Sequence, residues 1–119
     1  MEDWTKMLDQ RFINGFDLVK FTKSNPLIVK LERVTLEKVY DKSKKEDVNK
    51  PVLWFSYNGK PLKKGVLLVA KIAKPMTVIN NLELDPEKWI GSTVALWQNV
   101  EKHFGIEAPV LKAGVPRNR

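Results

Sequence analysis

The stretch from Leu27 to Tyr40 constrains the fold of this chain more than any other. Its apolar side chains alternate at Leu27, Val29 and Leu31, then resume at Val34 and Leu36, so an odd-numbered phase gives way to an even-numbered one. Successive side chains of a strand point to opposite faces, and one extra residue moves every later side chain to the other face. The switch predicts one long strand with a β-bulge or sharp bend near Glu32-Arg33, a device that lets a short sheet curl into a barrel. Two separate strands are the alternative, and no Gly or Pro marks a turn between them.

The other elements follow from period and punctuation. Trp4, Met7, Leu8 and Phe12 fall at helical spacing, which predicts a short amphipathic helix over residues 2–12, broken by Asn14-Gly15. Asp41 to Lys50 is polar, without periodic apolar positions, and reads as an exposed loop. Val52 to Tyr57 reads as a strand closed by the Asn58-Gly59 hairpin turn, and a third strand runs from Val66 to Val69. A helix is predicted from Lys74 to Glu83, with Pro75 at its first position, Met76, Ile79 and Leu82 on one face, and its end at Asn80-Asn81. Asp85 to Gly91 reads as one short helical turn ending in glycine. Two more strands follow, Thr93 to Val100 and about Ala108 to Val115, separated by a turn at His103-Phe104-Gly105.

The expected architecture is therefore mainly β: a five-stranded, OB-like barrel over 26–115 with a helix between its third and fourth strands. A lead-in with the short N-terminal helix occupies 1–25 and a basic tail 116–119. Barrels of that order commonly take oligonucleotides on their central strands and long loops.

Charge bears on partners. Lys and Arg number 21 against 14 Asp and Glu, a net charge of +7. An excess of cations favours polyanions, because basic residues release the counterions condensed on a phosphate backbone. Cysteine is absent, which excludes disulfides, thiolate catalysis and Cys-based zinc sites. The only histidine, His103, has no His-x-x-x-His or Glu-x-x-His spacing around it, and neither a phosphate-cradling glycine loop nor a Gly-x-Ser-x-Gly elbow occurs. The expectation is a protein that is not an enzyme, with no cofactor and no metal. The longest apolar run, Gly65 to Ala70, is too short to cross a bilayer, and the acidic start Met1-Glu2-Asp3-Trp4 lacks the regions of a secretory signal, so a cytoplasmic location away from membrane is expected.

Three stretches carry a resemblance: Lys50-Pro51-Val52-Leu53-Trp54-Phe55, Gly65 to Ala73, and Asp85 to Trp97 with its Trp89-Ile90-Gly91 turn before an alternating strand. Together, from about Phe12 to Val115, the chain resembles a family of small proteins of tailed bacteriophages and prophages that are similar to OB-fold single-stranded DNA-binding proteins. The resemblance implies a replication or recombination setting, with phage or host replication and recombination proteins as further partners, in the host cytoplasm. Where that family carries an arginine in the last strand this chain offers Lys112, and it has no acidic C-terminal tail.

Bases stack on aromatic faces while Lys and Arg follow the phosphates. The candidate stacking residues are Trp54 and Trp97. If Leu53, Phe55 and Tyr57 point inward, Trp54 points out; the opposite phase buries it with Val52. Val94 and Leu96 inside place Trp97 outside, whereas packing against the N-terminal helix would cover it. Trp89, beside a turn glycine, reads as structural. The candidate phosphate contacts are Lys44 and Lys45 in the long loop, Lys60, Lys63 and Lys64 around the second hairpin, where no acid lies nearby in sequence, and Lys112. A protein-interaction or assembly adaptor built on the same barrel, with its aromatics as hot spots, is the alternative function. The sequence leaves the oligomeric state open, a homodimer included.

Overall fold

The computed structural model describes residues 12–41 and 43–116. The predicted N-terminal helix over 2–12 and the last residues of the basic tail lie outside them, Phe12 excepted. The described residues form one antiparallel sheet, curled into a half-barrel, and one α-helix. The strands are β1 (Leu27–Asp41), β2 (Glu46–Tyr57), β3 (Lys60–Pro61), β4 (Val66–Leu67), β5 (Thr93–His103) and β6 (Ile106–Gly114); α1 (Ala70–Ile79) stands between β4 and β5. Their order is β3-β2-β1-β5-β6, with β4 on the edge of β2. The count is thus six, not five, because the expected third strand shortens to β4, and β3, just after the Asn58-Gly59 turn, adds a second short piece on the same side of β2.

The predicted bulge is present. Leu31 stands opposite Phe55 and Arg33 opposite Trp54, so Glu32 is the extra residue. The turn that follows α1 fixes it in place: Gly91 N donates to Leu31 O at 2.8 Å and Leu31 N donates to Ser92 O at 2.9 Å. That turn is anchored by Trp89, 2 % exposed, whose indole N–H donates to the Glu83 carbonyl at 2.7 Å. Trp89 is structural, as expected, and its structural task is to hold the bend of β1.

The core lies on the concave face, where Val29, Leu31, Leu53, Phe55, Val94 and Leu96 meet Ile72 and Met76 of α1. Each fully buried aliphatic or aromatic side chain contributes about 1.5–3 kcal/mol. Closure between β4 and β6 comes from the lead-in. Ile13 N donates to Gly65 O at 2.7 Å, Phe12 bridges Gly65 in parallel, and the 3₁₀ turn Gly15–Leu18 packs on β6. Asn14 caps that turn by accepting from Phe16 N at 2.8 Å. A Cβ on Gly15 would lie 2.1 Å from the Pro109 carbonyl oxygen, so only glycine allows the approach.

Three expectations need correction. Asp41 to Lys50 is no loop: β1 and β2 stay in register from Glu37 opposite Lys50 to Asp41 opposite Glu46, forming a two-stranded arm turned at Ser43-Lys44-Lys45. A ribbon solvated on both faces needs no apolar alternation, so its sequence looks like a loop. The helix begins at Ala70 rather than Lys74, and Pro75 sits inside it. Pro75 withholds one N–H, from the Lys71 carbonyl, and Lys71 faces solvent. Leu82 does not share the buried face, because the helix ends at Asn80 and Leu82 turns outward with a positive φ of 65°.

Candidate nucleic-acid interface

Register decides which side chains share the convex face of the sheet. Leu31 and Phe55 point inward, so Ser56 and Trp54 point outward on β2. The bulge then returns Arg33 to the outer face beside Trp54, while Val34 opposite Leu53 faces the core. On the other flank Val29 opposite Val94 and Leu27 opposite Leu96 are inward, which leaves Ile28, Lys30, Ala95 and Trp97 outward. Trp54 and Trp97 therefore lie on one face, separated by β1 with Ile28 and Lys30 exposed between them.

Trp54 is neither free nor buried. The Arg33 guanidinium lies over its ring, 4.6 Å from the centroid, and its indole N–H donates to Thr35 Oγ1 at 2.7 Å. Gly65 lies close by, where an added Cβ would be 3.3 Å from the ring atoms Cδ2 and Cε2. Val52, on the same face, is completely buried against Gly65. Both phases open to this strand are thus realised at once: Leu53 and Phe55 fill the concave side of the half-barrel, while the approach to β4 covers Val52 and part of Trp54. Arg33 is the residue that reading the sequence missed. Its signal was the bulge itself, since bulges re-aim side chains next to functional sites.

Trp97 stands opposite Lys112 of β6 and is half-buried, with Gly114 packed against its ring. It lines an open groove of about 830 Å³ together with Asn99, Glu101, Lys112 and the turn Thr22-Lys23-Ser24. Lys112 Nζ reaches Glu101 Oε2 at 2.6 Å, so the groove holds an ion pair where the sequence suggested a lone cation.

The remaining lysines are dispersed. Lys44 and Lys45 are exposed at the tip of the β1–β2 arm, where Asp41 Oδ1 accepts from Ser43 Oγ at 2.6 Å and from two backbone N–H groups. Those bonds, the Ser43 hydroxyl first, hold the Asp41 carboxyl below its ordinary pKa of 3.8. Lys60, opposite Tyr57, and Lys63 are exposed beyond the far edge of β2. Lys64 is not the clean cation that its sequence neighbours imply: Asp17 of the lead-in pairs with it at 3.0 Å. The fold thus gathers Trp54, Arg33, Lys30, Trp97 and Lys112 on one face, and it leaves the arm and hairpin lysines at the margins.

Among the described residues no three His, Asp or Glu side chains converge as a metal cage, and no helix is long and apolar enough to cross a membrane. Comparison with known protein families, with curated proteins and with solved structures finds no match to this chain.

Proposed function

We propose that this chain binds single-stranded nucleic acid, with little sequence preference, along the convex face of β2, β1, β5 and β6. The observation that carries the reading is the placement of Trp54 and Trp97 on one face, with Lys30 and Arg33 between and beside them. Stacking on sequence-tolerant aromatic faces together with cations that follow the backbone is the chemistry of such binding. Arg33 fits it as well as Trp54 does, because guanidinium planes also stack on bases. A base reaches Trp54 either by lying on the guanidinium or by taking its place and passing it to a phosphate.

The architecture we propose is a partly open barrel of OB type. The central β2–β1 pair, the long arm between these strands and the helix placed before β5 support that assignment. The setting we propose is the phage or prophage replication or recombination that the resemblance implies.

A gel-shift titration with single-stranded and duplex DNA at two salt concentrations tests the reading. Preferential, salt-weakened retention of the single strand supports it, and equal or absent retention overturns it. One observation favours the alternative of a protein-interaction module. At the tip of the β5–β6 hairpin Phe104 is wholly exposed with a positive φ of 53°, and Ile106 next to it is 67 % exposed. On that reading Phe104→Ser abolishes partner capture and leaves oligonucleotides unaffected.

A further inference from the structure

The open groove beside Trp97 holds more than a stacking platform. Trp97, Asn99 and Glu101 follow one another on the outward face of β5, and Lys112 of β6 stands opposite Trp97. The indole leans over Gly114 and lines the groove with its remaining surface. Two residues advance about 6.6 Å along a strand. The ion pair that reaches from Lys112, level with Trp97, to Glu101, four residues on, therefore lies over Asn99, about the width of a base from the indole. The side chains of Lys112 and Glu101 are only 33 % and 28 % exposed, and hydrogen bonds made in such partial shelter are stronger than on open surface.

We infer that this groove selects guanine, at one position of a strand that the rest of the face accepts without preference. The inference rests on the nucleic-acid reading and names the base at one of its subsites. A carboxylate accepts hydrogen bonds and donates none, has about four lone-pair sites, and takes two parallel N–H bonds in the way it takes an arginine fork. Guanine alone of the four DNA bases carries two neighbouring donors, N1–H and the N2 amino group, with the O6 acceptor next to them. When a guanine stacks on Trp97 with that edge toward Asn99, the Glu101 carboxylate accepts both N–H groups and the Lys112 ammonium donates to O6. The Glu101–Lys112 contact at 2.6 Å is kept, because neighbouring groups on a base edge lie about as far apart as these two charges do. Adenine and cytosine offer the carboxylate one amino group beside an acceptor, and thymine one imino N–H between two carbonyls, so none of them satisfies it twice. Lys23, exposed at the rim, supplies a cation for the phosphate of that nucleotide.

Competition anisotropy with DNA strands of about eight nucleotides, within the footprint of a single OB fold, tests the inference. The strands are thymidine throughout or carry one central guanine, hypoxanthine, adenine or cytosine. Wild type should bind the guanine strand about tenfold more tightly than the hypoxanthine strand, whose base stacks alike and keeps O6 and N1–H but lacks the N2 amino group. The adenine and cytosine strands should follow hypoxanthine or fall below it. Glu101→Gln, which puts an amide donor where one acceptor stood, should bring the ratio of guanine to hypoxanthine affinity near one. Hypoxanthine changes the ligand alone, so the wild-type ratio decides the matter if Glu101→Gln fails to fold. Equal binding of the guanine and hypoxanthine strands overturns the inference, and salt-weakened binding of the all-thymidine strand then leaves the nucleic-acid track standing. A preference that Glu101→Gln preserves overturns it too, and failure to bind any strand overturns it together with the reading on which it rests.

Discussion

Up to Leu31, β1 pairs with β5 from Leu27 to Lys30 and gains β2 from Lys30, alternates between buried and exposed positions and is clamped by the Trp89 turn. From Arg33 onward its backbone pairs with β2 alone, and Val34 is the side chain that still packs against the core. Both halves are rich in aliphatic and β-branched residues, yet Leu31 is completely buried and Leu36 is largely exposed. The difference lies in what covers the strand, since nothing in the residues' own preference for extended backbone separates them. The covered half makes the fold, and the uncovered half carries the Arg33–Trp54 stack.

Truncation should separate the two halves most sharply. Leu31→Ala empties a closed site and is expected to cost about 2–5 kcal/mol in a denaturant melt, while Leu36→Ala should stay within about 0.5 kcal/mol. Equal losses would dissolve the distinction. Next in size is the lead-in that seals the covered side. Gly15→Ala drives a methyl into the Pro109 carbonyl and should cost about 1–3 kcal/mol by overpacking. An unchanged midpoint would mean that the lead-in does not seal the half-barrel between β4 and β6.

On the uncovered side the effects are smaller. Thr35→Val keeps the shape of the side chain but removes the acceptor of the Trp54 indole N–H, for an expected loss of about 1 kcal/mol. A blue shift of the tryptophan emission should accompany it, and unaltered emission would deny that the bond holds the ring. Smallest is the arm tip. The Asp41 carboxyl is held below its ordinary value by the Ser43 hydroxyl. A group with a depressed folded-state pKa contributes stability above its unfolded value and loses it as pH falls through the folded one. Protection of the Ser43 and Lys44 amides, taken relative to their intrinsic exchange rates, should therefore hold above the ordinary value of 3.8, fall as the pH drops below it, and be missing at every pH in Asp41→Ala, which has no side-chain acceptor. Ordered amides at low pH would contradict that assignment.

What could be read from the chain divides along the same line. The bulge was legible because both halves of β1 keep an apolar phase, and the exchange of phase needs an extra residue. The arm was not, since Asp41 to Lys50 has water on both sides and leaves no alternation to read. The apolar residues Val66 to Val69 suggest one continuous strand, but only Val66 and Leu67 pair with β2, and Val69 is already the N-cap of the helix. Trp54 and Trp97 could be named as candidates from strand phase. Arg33 over Trp54 depends on the side to which the bulge returns it, and the Asp17–Lys64 pair joins segments far apart in sequence. Local pattern carries neither.

The claim that the convex face is a nucleic-acid track is tested most directly by the salt dependence of affinity for a single-stranded oligonucleotide, measured on wild type, Trp54→Ala and Arg33→Ala. The account predicts wild-type affinity that falls linearly on log–log axes. Trp54→Ala should weaken binding by about 1–3 kcal/mol for the stacked base with the slope kept, and Arg33→Ala should flatten the slope by about 0.7 for a phosphate contact on a single strand. Wild-type binding that ignores salt, or two variants that bind like wild type at every salt concentration, would contradict it.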